Sequence, residues 1–317
     1  MLTMSIPDPK IREIIEIAAR ADSSLCMTCG SCDSGCPVNL ATGRLRPQRI
    51  VRLANMGFLE ELLSGPDIWY CQICRQCLQA CPSAVKPCVL IEYLRMTAVS
   101  CGLVTRNRLQ RYRELFTRFQ RVRWHAATAC MQGEMTKITD KQWHKWLQTP
   151  ADASAGWRAQ SDMLRGFEQL RAEFDTSRLS ACFTCGECSS ACPVSGGPSV
   201  FDPRTLFRMV NLGLVEDLMQ SPSIWLCVSC GRCTEACSQL VDGRQLISRL
   251  QELAVETGAV DMEFRLRLEQ ANMVIYGRFL DEIDTLFDPD QDIVETYRTS
   301  GKSLRISAEC ACTSPPV

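Results

Sequence analysis

Two histidines in 317 residues leave little imidazole for acid–base catalysis or metal binding, and neither His125 nor His144 is positioned as a catalyst by its sequence neighbours. No G-x-G-x-x-G stretch or phosphate loop is present, which argues against a bound nucleotide. No apolar run reaches the roughly 18 residues that a membrane-spanning helix needs. The opening MLTMSIPDPKIREIIEIAAR has neither a signal-peptide core nor a twin arginine, so a cytoplasmic location is expected. A net charge of −1 gives no wholesale attraction to nucleic acid. Alternating strand patterns are missing as well.

What the chain has is cysteine, 21 in all. Sixteen fall in four runs of one spacing, Cys-x2-Cys-x2-Cys-x3-Cys. The runs are Cys26, Cys29, Cys32, Cys36; Cys71, Cys74, Cys77, Cys81; Cys182, Cys185, Cys188, Cys192; and Cys227, Cys230, Cys233, Cys237. This is the ligand spacing of bacterial-type [4Fe–4S] centres, where a tight turn with a Cys every third residue wraps one corner of a cubane. Four runs imply four [4Fe–4S] clusters. A structural zinc needs only four ligands, usually as two separated pairs, so the third Cys of each run is in excess for it. A disulfide framework suits small secreted domains, which this is not.

The runs expose a tandem duplication. Adding 156 carries every cysteine of the first two runs onto the last two without a gap. Pro47 then matches Pro203, Arg52 matches Arg208, Asn55 matches Asn211, Gly57 matches Gly213 and Trp69 matches Trp225. The small-residue stretch 149–156 reads as a linker. The expected domains are 1–150 and 157–285, each with two clusters, followed by a tail, 286–317. An acidic stretch beginning at Asp284, with Asp288, Asp290 and Asp292, has no counterpart in the first half and is expected on the surface or around a partner.

Helical periodicity runs through both halves. Ile11, Ile14, Ile15 and Ala18 predict a helix over 9–21, and Phe167, Leu170 and Phe174 its equivalent over 157–174. Pro47 and Pro203 stand where helices start, with Asp202 as a cap. Gly57 and Gly213 separate two short helices. Residues 89–99 and 246–255 are helical again. The expected class is all-α, a duplicated α-helical ferredoxin module.

With these residues in view, each half resembles the C subunit of heterodisulfide reductase. The resemblance rests on CMTCGSCDSGCP with CQICRQCLQACP, and on CFTCGECSSACP with CVSCGRCTEACS. It covers 24–104 and 180–260 strongly. It implies an electron-transfer subunit without catalysis of its own, between A-like flavin and B-like catalytic subunits or equivalent redox proteins. It also implies crossed ligand sets: Cys26, Cys29, Cys32 with Cys81; Cys71, Cys74, Cys77 with Cys36; Cys182, Cys185, Cys188 with Cys237; and Cys227, Cys230, Cys233 with Cys192. An iron–sulfur subunit of another anaerobic dehydrogenase or quinone-linked complex is the alternative. Such proteins usually add a Cys-Cys-Gly cluster domain, and no Cys-Cys pair occurs here. A zinc-binding assembly protein is the second alternative.

Other features stay open at the level of sequence. Arg75 follows the second Cys of its run, where the other three runs have Gly30, Gly186 and Gly231. It either favours a reduced cluster by its charge or points to solvent. Ser238 replaces the Pro that follows the other three runs. Cys88, Cys101 and Cys130 read as buried small hydrophobes. Cys310 and Cys312 are spaced for transient metal binding. Arg106, Arg108, Arg111, Arg113, Arg118, Arg121 and Arg123 form either a solvated helix face or a docking face. Residues 1–156 hold 20 Lys+Arg against 13 Asp+Glu, net +7, and residues 157–317 hold 15 against 23, net −8. This split fits different neighbours for the halves, docking of one half against the other, or unbiased drift.

Overall fold

The computed structural model describes residues 6–151, 174, 177–197 and 200–288. Helices build the fold. Among the described residues the one β contact is an isolated antiparallel bridge between Gly197 and Phe201. The class is all-α. Packing divides the chain into two units, Met1–Glu114 together with Tyr276–Val317, and Leu115–Ile275. This division follows contacts, whereas the 156-residue repeat follows sequence likeness.

Unit 1 begins with α1, Pro9–Ala19. Asp8 caps it, its side chain accepting from the amides of Lys10 at 2.9 Å and Ile11 at 3.2 Å. The helix buries Ile15 and Ala19 and stops at Arg20, whose φ of 51° is left-handed. Short helices follow the first cysteines: α2, Ser31–Ser34, and α3, Pro37–Thr42. Helix α4, Pro47–Met56, starts on its proline and buries Ile50, Val51, Leu53 and Ala54. Full burial of such aliphatics contributes about 1.5–3 kcal/mol each. Then come α5, Leu59–Ser64, α6, Asp67–Tyr70, and α7, Gln76–Gln79. The longer α8, Pro87–Ser100, and the start of α9, Arg106–Met131, complete this stretch.

Gly57 ends α4 with φ 76°, and a Cβ there would lie 2.1 Å from the carbonyl oxygen of Asp8. Here the cap of α1 meets the end of α4, and the Asp8 amide donates to the Met56 carbonyl at 3.0 Å. Gly57→Ala is therefore expected to cost at least about 1–2 kcal/mol for its left-handed backbone alone. The backbone clash adds to that. A lowered thermal midpoint checks it, and an unchanged midpoint would contradict the close approach.

Unit 2 holds the rest of α9, α10, Asp140–Gln148, and α11, Glu187–Ala191. It continues with α12, Pro203–Asn211, α13, Val215–Met219, α14, Arg232–Glu235, and α15, Gly243–Glu256. Helix α16, Phe264–Phe287, contributes residues to both units. Asp202 caps α12 through the Thr205 amide at 3.0 Å. The helix expected over 157–174 lies outside the described residues except for Phe174, which is buried. Asp290, Asp292, Cys310 and Cys312 lie outside them as well. Asp284 belongs to a helix. It sits inside α16 and, within unit 1, accepts from Arg44 and from the Tyr70 hydroxyl.

The repeat extends to single hydrogen bonds. The Asn55 amide donates to the Ser23 carbonyl at 2.8 Å, and Asn211 to the Leu179 carbonyl at 3.4 Å, each holding the 3-10 turn that precedes a first cysteine. Arg95 Nε donates to the Ile68 carbonyl at 2.7 Å, and Gln251 to the Ile224 carbonyl at 2.8 Å. Trp69 stacks on Phe287 at 4.4 Å in unit 1, and Trp225 packs on Phe264 at 4.6 Å in unit 2.

Candidate metal centres

All four runs share one backbone. The residue before the second Cys is left-handed in each: Thr28 at φ 54°, Ile73 at 54°, Thr184 at 55° and Ser229 at 53°. The residue after it is left-handed too: Gly30 at 82°, Arg75 at 66°, Gly186 at 96° and Gly231 at 74°. For β-branched Thr28, Ile73 and Thr184 this conformation is strained, and strain of this kind gathers at functional sites. The turn aims amides at sulfur. Ile73 donates to Cys71 Sγ at 3.3 Å, Thr184 to Cys182 Sγ at 3.4 Å and Ser229 to Cys227 Sγ at 3.3 Å. A short helix then presents the third Cys: α2, α7, α11 and α14.

The residue after the third Cys of each first run ties the loop to the next helix. Asp33 accepts from the Gln48 amide at 2.8 Å, at the start of α4. Its counterpart Ser189 accepts from the Arg204 amide at 3.2 Å, at the start of α12. In unit 2 Thr234, after Cys233, does the same for α15 through the Arg244 amide at 3.1 Å.

The sulfurs gather in sets. Cys26, Cys29, Cys32 and Cys81 line one small cavity, with Val51, Val85 and Pro87. Cys192, Cys227, Cys230 and Cys233 line another, with Val194, Phe201 and Ile247. Cys36 lies close enough to Cys71 for the two charges to repel, and Cys77 likewise feels Cys71 and Cys74. Cys182 acts on Cys188 in the same way. Within each unit the third cysteines approach one another: Cys32 and Cys77 belong to one packed group, and Cys188 acts on Cys233. Among the described residues no three His, Cys, Asp or Glu side chains converge as a single-ion site. Two of the sets, each of four sulfurs, share a cavity, and four cysteines are the ligand count of a [4Fe–4S] cluster.

The second cysteine is exposed in the two first runs and buried in the two second runs. Cys29 and Cys185 are exposed, whereas Cys71, Cys74, Cys77, Cys230 and Cys233 are buried. Burial pushes Cys71 and Cys233 up to about 12, and Cys227 to about 11. Burial and the Asp33 charge push Cys32 up to about 12. Thiolates in such surroundings require a compensating cation, which an iron–sulfur cluster supplies. Cys29 goes the other way, held below the usual thiol range by the Ser31 hydroxyl at 3.4 Å.

Two arginines next to second-run cysteines are not marked out by the sequence. In unit 1 Arg95 donates to the Cys71 carbonyl at 2.5 Å and lies over the rings of Trp69 and Tyr112, at 5.3 and 5.4 Å. In unit 2 Arg123 donates to the Leu226 carbonyl at 2.8 Å, and its charge favours the Cys227 thiolate. Arg123 is only 6% exposed and Arg108 4%. The arginine-rich stretch is therefore not one surface face, although Arg106, Arg111, Arg113 and Arg118 are exposed. The signal that could have found Arg123 is apolar periodicity: Val122, Ala126 and Ala127 place it on the buried side of α9.

A family model described as "4Fe-4S dicluster domain" matches residues 22–85 and again 178–241. A protein of Archaeoglobus profundus, similar to the C subunit of heterodisulfide reductase, is 29% identical over 103 residues, 32% of this chain and 55% of that protein. The C subunit of the H(2):CoB-CoM heterodisulfide,ferredoxin reductase of Methanothermobacter marburgensis is 33% identical over 100 residues, 31% of this chain and 52% of its own. The C subunit of the ferredoxin/F(420)H(2)-dependent CoB-CoM heterodisulfide reductase of Methanosarcina acetivorans is 38% identical over 79 residues, 25% and 48%. The chain spans about half the length of these relatives. No solved structure matches. Residues 22–85 and 178–241 are thus two 4Fe–4S dicluster domains in tandem, four clusters in all, and the chain is an iron–sulfur protein similar to the C subunits of heterodisulfide reductases.

Proposed function

We propose that the chain is an electron-transfer subunit of a heterodisulfide-reductase-like complex, placed between A-like and B-like subunits or equivalent redox proteins. The observation that carries this is the pairing of two cysteine sets in each unit through their third cysteines, one set reaching the surface and one buried. When bound, [4Fe–4S] clusters supply one-electron transfer. The protein's part is to hold them at fixed spacing. The left-handed turns orient the sulfurs, the amides of Ile73, Thr184 and Ser229 hydrogen-bond to them, and apolar side chains such as Val194, Phe201 and Ile247 wall the cavity of Cys192, Cys227, Cys230 and Cys233.

The ligand sets are the crossed ones. The cavity shared by Cys26, Cys29, Cys32 and Cys81 supports the crossing in unit 1, and that shared by Cys192, Cys227, Cys230 and Cys233 supports it in unit 2. Cys36 near Cys71 supports the second set, and the repeat carries the fourth, with Cys237 in the place of Cys81. Among the described residues no helix is long and apolar enough to cross a membrane. A cytoplasmic place within the complex accords with free thiols in a reducing compartment.

The purified chain is expected to take electrons from dithionite while turning over no disulfide, thioester or nicotinamide nucleotide by itself. Anaerobic assays with and without co-purified partners test this. Turnover by the chain alone, at the rate of its complex, would overturn the proposal.

A further inference from the structure

The four centres differ in what surrounds them, and the buried one of unit 1 differs most. Gln72, between Cys71 and Ile73, is 4% exposed, and neither its amide nitrogen nor its oxygen has a partner. Enclosed carboxamides nearly always find one. Arg75 follows Cys74 at φ 66°, where the other runs have glycine, and its Nε is enclosed without a partner. Cys88, at the start of α8, is fully buried and packs with Cys32 and Cys77; between the free thiols Cys77 donates to Cys88, and once Cys77 holds iron Cys88 carries the one S–H of the pair.

The matching positions of unit 2 hold Val228, Gly231 and Arg244. Val228 and Gly231 offer no side-chain donor. Arg244 lines the cavity of Cys227, Cys230 and Cys233 but is exposed, so water screens its charge. Unit 1 thus has a carboxamide, a guanidinium and a thiol next to one cysteine set, with Gln72 and Cys88 buried and Arg75 half-buried, and donors act most strongly where water is excluded. Hydrogen bonds to cluster sulfurs and nearby charge are the protein's means of setting a cluster potential.

We infer that Gln72, Arg75 and Cys88 form a donor shell that raises the potential of the centre built on Cys71, Cys74 and Cys77, so that an electron entering unit 1 rests there. This deepens the electron-transfer reading and rests on it. The three are positioning residues and hold no iron.

The test is an EPR-monitored redox titration of the full chain. Each centre takes one electron from dithionite, which is oxidised to sulfite. The variants Gln72→Val, Arg75→Gly and Cys88→Ala give unit 1 the unit 2 residues at two positions and remove the thiol at the third. Arg75→Gly relieves a left-handed backbone, so it folds at least as well as the parent. With all three changes, one centre should show a reduced-to-oxidised ratio about tenfold lower at fixed potential, or 59 mV for one electron. The other three centres should keep theirs. Full iron content with four unchanged potentials would overturn the shell and leave the electron-transfer reading intact. Absence of clusters from the parent chain would instead overturn that reading. Loss of about four iron atoms on Cys88→Ala would make Cys88 a ligand and overturn its role as donor. Arg75→Gly and Gln72→Val then still report on the other two groups.

Discussion

Cys36→Ser is expected to remove the centre built on Cys71, Cys74 and Cys77 and to leave that of Cys26, Cys29 and Cys32 in place. Cys36 lies in the first run, yet it is buried near Cys71, while Cys81 of the second run lines the cavity of the first. A fourth ligand that crosses over staples the two runs together, so its loss removes about four iron atoms and the folding energy that accompanies their binding. Exposure identifies the survivor. Cys29 is open to solvent, whereas Cys71, Cys74 and Cys77 are buried. The centre left after Cys36→Ser should be readily stripped by an external chelator. The centre left after Cys81→Ser should resist it. Unit 2 keeps its own buried centre in both variants, so one more chelator-resistant centre after Cys36→Ser than unit 2 supplies would contradict the crossing.

Gly243→Ala should disable one centre of unit 2. A Cβ at that position would lie 2.4 Å from the ring of Phe207 and 2.8 Å from Cys233 Sγ. Phe207 is buried within the core of unit 2 and has no room to yield, and Cys233 is held by its run. Overpacking of this kind costs about 1–3 kcal/mol, and here it also displaces a ligand sulfur. Iron should fall by about four atoms, with unit 1 unaffected. Gly277→Ala is the control. It lies in α16 with open space around its Cβ position and should be neutral or slightly stabilising. Equal effects of the two substitutions would show that the contact with Cys233 does not matter.

The cysteine runs and helices were legible because their signals are local. A Cys every third residue, a proline at a helix start and a glycine at its end each act within a few residues. Pro47, Asp202 and Gly57 stand where the periodicity places them. The 156-residue offset carried more, since Asn55 and Asn211 matched in sequence and make the same bond to the turn before a first cysteine. Non-local choices were not legible. Arg123 and Arg111 look alike in a run of seven arginines, yet α9 turns the first inward to Leu226 and the second to solvent. Phe287 follows the second repeat in the chain but stacks on Trp69 of unit 1, because periodicity shows that a helix has an apolar face and not which core receives it. Cys88 read correctly as buried, but its hydrogen bond to Cys77 depends on how α8 meets α7.

Four clusters in two tandem modules are the centre of this account, and iron and acid-labile sulfide counts on anaerobically purified chain test it most directly. Sixteen cysteines in four complete runs predict about sixteen iron and about sixteen sulfide per chain, with no zinc. About eight of each would leave one module empty and contradict the functional duplication, and stoichiometric zinc without sulfide would contradict the iron–sulfur assignment itself.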